Sequence, residues 1–336
     1  MLAHRRGLAF RPAVILAVAA LSAAAPNGPA RAAEKWDLYV YNAVSTVAAV
    51  RGLNAMIERI QSRSNGELTI RLHLGGSLPI NTTTITQAVS DGVVQMGDDG
   101  YFLGNVPIAG ILRLPMLIRT REEYRKAAAV MDAYVTKAFE KKGVVVLGQY
   151  LYPFQVPFSR KELTKLADIK GQKLRVTSPE QGEFVKRLGG APVTIGAPEV
   201  PSALDRGVVD GVFTASTGGG YTWKDLLKYN YRFGVNYFNS VLIANKEAFD
   251  KLSPELKARL REAVAETMPS ITATMASEEE AVTQKMAADG LVVTPERPED
   301  VAEAEKIFAS YWDEWARTKG PEAVEALKKV RAALGR

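Results

Sequence analysis

The feature of the sequence that most constrains the fold is a repeated alternation of strand-like and helix-like segments. Residues 35–44 are β-rich, residues 46–66 carry apolar side chains three and four positions apart, and residues 67–76 alternate apolar with polar side chains. This spacing predicts a strand, an amphipathic helix and a second strand. A second helix over 82–92 and a third strand over 93–103 follow. A β-α-β-α-β order with short connections predicts a parallel, doubly wound sheet.

A second round of the same alternation begins after residue 142. Its predicted elements are a long strand over 143–159, a turn and strand over 165–176, a helix over 178–190, a short strand over 191–196, a helix over 197–211 and a strand over 212–216. The segment from 237 to 252 predicts one more strand that leads into a helix. From Ser253 onward the chain is mostly helical, and Ser253-Pro254-Glu255 is typical of a helix N-terminus.

The length of 336 residues favours two domains, because one hydrophobic core rarely serves so long a chain. No low-complexity linker separates the two rounds, so we expect two lobes that share strands and between which the chain crosses more than once. Lobe I is predicted over 34–152 plus about 240–279. Lobe II is predicted over 153–239 plus about 280–336, and the C-terminal helices should span both lobes.

Residues 1–33 have the pattern of a secretory signal peptide. A positive segment with Arg5, Arg6 and Arg11 precedes an apolar run of 14 residues and an A-x-A cleavage site. The run is shorter than the roughly 20 residues that a bilayer-spanning helix needs. We therefore predict export with cleavage rather than an N-terminal anchor.

The basic excess of the chain lies in this same segment. The net charge is +6, from 43 basic and 37 acidic residues, and the first 32 residues contain four arginines and no acid. Removing those four leaves 39 basic residues against 37 acidic ones, a net charge of +2. So nearly neutral a mature surface disfavours a nucleic-acid partner.

The sequence has few of the groups that catalytic or metal sites need. It has no cysteine, and His73 is the only histidine after residue 33. A Ser-His-Asp triad would have to use His73, but no G-x-S-x-G motif is present. Asp98 and Asp99 are adjacent and would point to opposite faces of a strand. We therefore predict no catalytic residue, no cofactor and no metal ligand.

The glycine-rich segment 216–223, STGGGYTW, permits two interpretations. Its backbone amides could wrap an anion, or it could form a flexible turn at the start of a helix. What the residues alone predict is an exported, two-lobed α/β protein that binds a ligand beyond the strand ends.

From residue 34 to about residue 260 the chain resembles the solute-binding proteins of tripartite ATP-independent periplasmic (TRAP) transporters. The resemblance is carried by these segments: HLGGSLP, TITQAVSDGVVQM, LPMLIRTREEYRKA, LADIKGQKLRV, LGGAPVTIGAPEVPSALDRGVVDG and NKEAFDKLSPELKARL. It implies a two-lobed periplasmic-binding-protein-like fold in which each lobe is a sheet flanked by helices. It also implies a periplasmic protein that closes on an organic acid and delivers it to the small and large permease subunits.

The resemblance also implies the residues that hold the ligand. Arg175 matches the arginine that forms the main salt bridge to the ligand carboxylate in this family, and guanidinium suits that role because it can donate two parallel hydrogen bonds. Asn42 matches a polar ligand contact. Thr214 falls where sialic-acid-binding members have an asparagine. Asn81 and Tyr101 are expected on loops that face the cleft.

Departures from the family pattern narrow the expected ligand. Many members that bind acidic sugars have a second arginine about twenty residues before the first, and here Gln155 occupies that position. Aromatic side chains, among them Tyr152 and Phe213, lie around the expected site. One cation and several aromatic rings predict a monocarboxylate, such as an aromatic or 2-oxo acid, rather than a hexuronate or sialic acid.

Two other functions remain open from the sequence. The protein could be an exported sensory partner that binds the same acid and docks to a receptor, or an exported hydrolase that uses the same cleft. Trp312 and Trp315 lie three residues apart and could pack across the lobes or into a dimer; we expect packing across the lobes and a monomer. No acidic cluster requires a metal that bridges protein and ligand.

Overall fold

The computed structural model describes residues 33–336, and the predicted signal peptide lies outside them except for Ala33. The strands are β1 (Glu34–Val40), β2 (Leu68–His73), β3 (Met96–Asp99), β4 (Val144–Ser159), β5 (Lys173–Val176), β6 (Ala191–Thr194), β7 (Gly211–Thr214), β8 (Tyr229–Tyr231), β9 (Asn236–Asn245) and β10 (Val292–Thr294). The α-helices are α1 (Ala48–Arg63), α2 (Ile85–Ser90), α3 (Arg121–Glu140), α4 (Pro179–Arg187), α5 (Val200–Asp205), α6 (Lys246–Lys251), α7 (Pro254–Ala288), α8 (Pro298–Phe308), α9 (Tyr311–Lys319) and α10 (Pro321–Ala333).

The two predicted rounds of alternation form two halves of one sheet with the same winding. The sheet order is β2-β1-β3-β9-β4-β7-β5-β6. In one half β1 pairs in parallel with β2 and β3, and in the other β5 pairs in parallel with β6 and β7. Read from the two outer edges of the sheet, the orders 2-1-3 and 6-5-7 therefore match, as the second round of strand–helix alternation suggested.

Two long antiparallel strands join the halves. β4 pairs with β9 from Val144 to Gln155 and with β7 from Val156 to Ser159, so one strand serves both halves. The prediction of shared strands is confirmed, but a purely parallel sheet is wrong for this central part. Antiparallel pairing arises because the chain returns along β9 beside β4 and β3.

Several helices begin, end or bury their apolar side chains as the sequence predicts. Helix α1 buries its apolar face, including Val50, Leu53 and Ile60, and ends before Asn65 and Gly66, which both have positive φ. Helix α7 begins after Ser253, whose hydroxyl accepts a hydrogen bond from the Leu256 amide at 3.2 Å. Helix α3 was not predicted, although Thr120 and Glu123 form a capping box at its start.

Buried side chains form separate clusters on the two halves. One cluster contains side chains of β1, β2, β3, β9, α1 and the first part of α7. A second contains side chains of α3, β5, α4, α8, α9 and α10. The Trp312 indole donates to the Pro115 carbonyl at 2.8 Å, and the Trp315 indole donates to Glu180 Oε1 at 3.0 Å. Both tryptophans thus pack within the chain, while the exact lobe boundaries stay a prediction.

Among residues 33–336, none of the helices is long and apolar enough to cross a membrane.

Candidate functional site

A cavity of about 120 Å³ lies where the carboxyl ends of the two sets of parallel strands meet. Its wall contains six of the eight residues predicted to bind ligand, namely Arg175, Gln155, Thr214, Asn42, Tyr101 and Tyr152. Arg175 is the only charged residue in this wall.

The topology explains why these residues meet. Asn42 and Tyr101 each lie two residues beyond the end of β1 and β3, which are parallel neighbours. Thr214 is the last residue of β7. Arg175 lies on the neighbouring strand β5, where it pairs with Val212 of β7. Because the carboxyl ends of parallel strands share one edge of a sheet, each half contributes its strand-end side chains to the cavity. The shared strand β4 adds Gln155.

Arg175 is a buried cation without an acidic partner. Its side chain is only 2% exposed, and no carboxylate oxygen of residues 33–336 lies within 4.0 Å of it. Nε donates to the Ile195 carbonyl at 3.0 Å, Nη1 donates to the Phe213 carbonyl at 3.2 Å, and Nη2 donates to the Tyr101 hydroxyl. A guanidinium has five N–H donors. These three bonds therefore leave one hydrogen on each Nη, the number that a carboxylate needs for two parallel bonds.

Aromatic rings form much of the remaining wall. The Phe238 ring packs edge-to-face against Tyr41, Tyr101 and Tyr152, with ring centroids 5.9, 6.0 and 5.4 Å apart. The Trp223 ring centroid lies 5.6 Å from Cζ of Arg175, within the range of a cation–π contact. Tyr41, Phe238 and Trp223 were absent from the predicted set. Tyr41 directly precedes Asn42 at the predicted strand end, which is the signal that could have identified it.

Hydroxyl groups in this wall bond to one another. The Tyr41 hydroxyl donates to the Tyr152 hydroxyl at 2.8 Å, and Nδ2 of Asn42 donates to the same oxygen at 3.3 Å. Burial raises the pKa of both tyrosines above the ordinary phenol value. Both therefore remain protonated and neutral at physiological pH.

The glycine-rich segment Ser216–Gly220 borders the cavity through Gly218 and Gly219, but its amides are already used. The amides of Ser216 and Thr217 both donate to the Glu279 carboxylate of α7 at 2.9 Å. The amides of Gly218 and Gly220 donate to the Ala215 carbonyl, and the Gly219 amide donates to the Thr214 hydroxyl at 2.9 Å. The amides of Ser216–Gly220 thus bind an internal carboxylate and nearby oxygens, and they are not available to a ligand anion.

Glycine at position 219 is required for a different reason. A Cβ atom there would lie within 2.1 to 2.5 Å of ring atoms of Trp223. The absent side chain lets the indole lie against the loop and face the cavity.

The structure does not bring two predicted residues to the cavity. Oδ1 of Asn81 accepts from the Thr83 amide at 2.9 Å and from the Thr83 hydroxyl at 2.8 Å, which caps the turn before α2. Phe213 precedes Thr214 on β7, so its side chain points to the opposite face and packs against Phe184. Only the backbone carbonyl of Phe213 contacts the site, through Arg175.

Two buried carboxyl groups lie at the end of β3, close to Tyr101 of the cavity wall. Asp98 accepts from the Tyr150 hydroxyl at 2.8 Å and from the Ser240 hydroxyl, and burial raises its pKa to about 7. Asp99 accepts from the Tyr101 amide at 2.7 Å, and burial raises its pKa to about 6. Neither carboxyl group borders the cavity. Asp98 links β3 to β4 and β9, and Asp99 fixes the backbone at Tyr101.

Arg113 is a second buried arginine, and it lies outside the cavity wall. Its Nη2 donates to the Gly100 carbonyl at 2.9 Å, its Nε donates to Asn239 Oδ1 at 3.1 Å, and its Cζ lies 4.3 Å from the Phe238 ring centroid. It thus supports Phe238 and the turn before Tyr101 from the far side.

Other candidate chemistry lies away from the cavity. Nε2 of His73 is 2.7 Å from Oδ1 of Asp37 on the neighbouring strand, and neither residue borders the cavity. Within the described part of the chain, acidic and histidine side chains form no group of three or more that could hold a metal ion.

The comparisons with known proteins agree on one family. The model of bacterial extracellular solute-binding protein, family 7, matches residues 41–319. A Haemophilus influenzae protein of uncharacterised function is 27% identical over 218 residues, which are 62% of this chain and 65% of that protein. The ectoine/5-hydroxyectoine-binding periplasmic protein UehA of Ruegeria pomeroyi is 26% identical over 251 residues, which are 71% of this chain and 72% of that protein. The chain thus spans about two thirds of the length of these relatives.

A solved structure extends the likeness to the fold. The crystal structure of DctP7, a Bordetella pertussis extracytoplasmic solute receptor binding pyroglutamic acid, is similar with a TM-score of 0.83 and 24% identity. The match covers 89% of this chain and 100% of that chain. The predicted two-lobed α/β fold of a periplasmic binding protein is therefore confirmed.

Proposed function

Because this chain belongs to family 7 of the bacterial extracellular solute-binding proteins, the family of TRAP solute-binding proteins, we propose that it binds a small monocarboxylate outside the cytoplasm and delivers it to a TRAP permease. The carboxylate binds Arg175 through a salt bridge in the cavity between the strand ends. The protein acts by binding and release, without chemical turnover.

The observation that carries this proposal is that Arg175 is buried and has no carboxylate oxygen of residues 33–336 within 4.0 Å. Keeping a cation away from water is costly unless an opposite charge is near. A ligand carboxylate would supply that charge through the two N–H groups that the protein leaves unused. Since Arg175 is the only charged residue in the wall, the cavity favours one carboxylate over two.

The size and lining of the cavity favour a compact acid. A cavity of about 150 Å³ lined by apolar side chains holds a molecule the size of benzene, and this cavity measures about 120 Å³. The rings of Tyr41, Phe238 and Trp223 suit an apolar body or the face of a small ring. A hexuronate or sialic acid would need a wider space.

The relatives are consistent with such a ligand. The Bordetella pertussis receptor binds pyroglutamic acid, and the Ruegeria pomeroyi relative binds ectoine and 5-hydroxyectoine. From these relatives we extend to this chain only the binding of a small organic solute. That the solute has a carboxylate is inferred from Arg175.

The proposal includes the cellular setting predicted from the sequence. Residues 1–33 direct export to the periplasm, where the mature protein acts as a monomer and its two lobes close on the acid. Lobe I, 34–152 plus about 240–279, and lobe II, 153–239 plus about 280–336, are the parts that move. The small and large permease subunits then receive the ligand.

A thermal-shift screen against compact organic acids tests the proposal. We expect one or more monocarboxylates to raise the melting temperature of the wild-type protein and to leave that of Arg175→Ala unchanged. Arg125→Ala is the matched control, because Arg125 is exposed and pairs with Glu122 on the same helix. Equal shifts in wild type and Arg175→Ala would overturn the assigned role of Arg175.

A further inference from the structure

Gln155 presents an unused hydrogen-bond acceptor to the cavity. Its Nε2 donates to the Pro153 carbonyl at 3.3 Å, and because a carbonyl can only accept, this bond fixes which end of the side-chain amide is the nitrogen. No donor of residues 33–336 bonds to Oε1 of Gln155. The residue is nevertheless only 2% exposed.

This oxygen is not fully enclosed by protein atoms. Among the described residues, the fully enclosed side-chain polar atoms without a partner are Nη1 of Arg113 and Oε2 of Glu180. Oε1 of Gln155 is not among them, and Gln155 borders the cavity. A buried carbonyl oxygen without a donor costs stability unless water or a ligand supplies one.

Gln155 and Arg175 both border the cavity at the carboxyl end of β7. Val156, next to Gln155, pairs with Thr214 of β7, and Arg175 pairs with Val212 of the same strand. The two residues are therefore on strands that flank β7, with strand axes about 9.5 Å apart. Both side chains are long, so both can contact one compact ligand held in the cavity at the end of β7.

The two side chains bind different kinds of ligand group. Arg175 offers N–H donors and positive charge, whereas Gln155 offers a carbonyl oxygen that would repel a second carboxylate. We infer that Gln155 is a specificity-determining residue and that the ligand is a compact monocarboxylate with an N–H or O–H donor, such as a lactam acid or a hydroxy acid. This inference rests on the proposed function, because it takes Arg175 as the carboxylate site.

The consequence is selection against acids that have the same shape but lack the donor. A site built to bond a substrate N–H or O–H rejects the analogue without it, because the buried protein group is then left unpaired. Simple aliphatic acids and benzoate have no such donor.

The experiment is a calorimetric titration with two matched ligand pairs. Pyroglutamate is compared with 5-oxotetrahydrofuran-2-carboxylate, in which the ring N–H is replaced by oxygen, and lactate is compared with propanoate. Within at least one pair, we expect the wild-type protein to bind the acid with the donor about tenfold or more tightly than its analogue. In Gln155→Met, which keeps the side-chain length but lacks the acceptor, the preference should disappear while the analogue binds as in wild type.

The outcomes separate the inference from the proposed function. Binding that depends on Arg175 but shows no preference within either pair, or a preference that survives in Gln155→Met, overturns the role of Gln155 and leaves the proposed function standing. Binding that is equal in wild type and Arg175→Ala overturns the proposed function. Absence of binding by all four acids overturns the inferred substrate class. Circular dichroism of each variant checks that it is folded.

Discussion

The hydroxyl of Tyr101 accepts a hydrogen bond from Nη2 of Arg175 and so joins the end of β3 to β5, two strands from opposite halves of the sheet. Both side chains are at least 95% buried. The bond gives the guanidinium a neutral partner and fixes its direction within the cavity wall.

Removing this hydroxyl should destabilise the protein. Tyr101→Phe deletes one of the three acceptors of a buried cation, and hydrogen bonds to charged groups contribute about 1.5–3 kcal/mol. We expect the free energy of unfolding of the ligand-free protein, measured by urea denaturation, to fall by that amount. Tyr134→Phe is the control, because among residues 33–336 the Tyr134 hydroxyl hydrogen-bonds only to the exposed Lys329. An equal loss in both variants would contradict this account of Tyr101.

The glycine-rich border of the cavity should depend on Glu279. This carboxylate accepts from the Ser216 and Thr217 amides and pairs with Arg232 at 3.0 Å. Breaking a buried pair by removing one partner costs about 3–5 kcal/mol. Glu279→Ala should therefore lower stability strongly and weaken ligand binding, as measured by denaturation and calorimetry.

The neighbouring residue on α7 provides the control for that change. Glu278 forms an ion pair with Arg51 at 3.3 Å, and both side chains are well exposed. Exposed pairs contribute about 0–1 kcal/mol, so Glu278→Ala should leave both stability and affinity nearly unchanged. If the two variants behave alike, Glu279 does not hold the loop.

The free energy of unfolding should depend on pH because of Asp98. Burial raises its pKa in the folded protein to about 7, whereas an unfolded chain releases this proton near about 3.9. Between these values the folded state binds more protons, so the contribution of Asp98 to the free energy of unfolding falls as pH rises. The slope is at most about 1.4 kcal/mol per pH unit.

The variant Asp98→Asn isolates this contribution, because an amide does not titrate. The stability of wild type relative to Asp98→Asn should fall between about pH 4 and pH 7 and stay constant above about pH 8. Urea denaturation across this range measures the difference. A difference that is independent of pH, or that grows as pH rises, would show that the Asp98 carboxyl is not protonated as described.

The predicted order of strands and helices indicated where the site lies, whereas its individual residues were expected from the family resemblance. Asn42, Arg175 and Thr214 meet because parallel strands present their carboxyl ends at one edge, which the β-α-β order already implies. Phe213 could have been excluded by the same reasoning, since it neighbours Thr214 on one strand and so faces the other way.

The positions of other residues of the site could not be predicted from a sequence pattern. Phe238 lies on β9, where all ten residues are buried, so there is no alternation from which its direction could be inferred. Asn81 has a side chain that could contact a ligand, but in the structure it caps a local turn. Which of the two it does depends on hydrogen-bond geometry that the sequence does not show. The role of the glycine-rich segment was decided by Glu279, which lies more than 60 residues away in sequence.

The most direct test of the central claim is the affinity of a stabilising monocarboxylate for wild type, Arg175→Lys and Arg175→Ala, measured by isothermal titration calorimetry. Loss of one partner of a buried, hydrogen-bonded charge pair costs about 2–5 kcal/mol, which is roughly 30-fold or more in affinity. We predict at least that loss in Arg175→Ala and a partial loss in Arg175→Lys, which keeps the charge but lacks the planar fork of donors. Wild-type affinity in a folded Arg175→Ala variant would contradict the account.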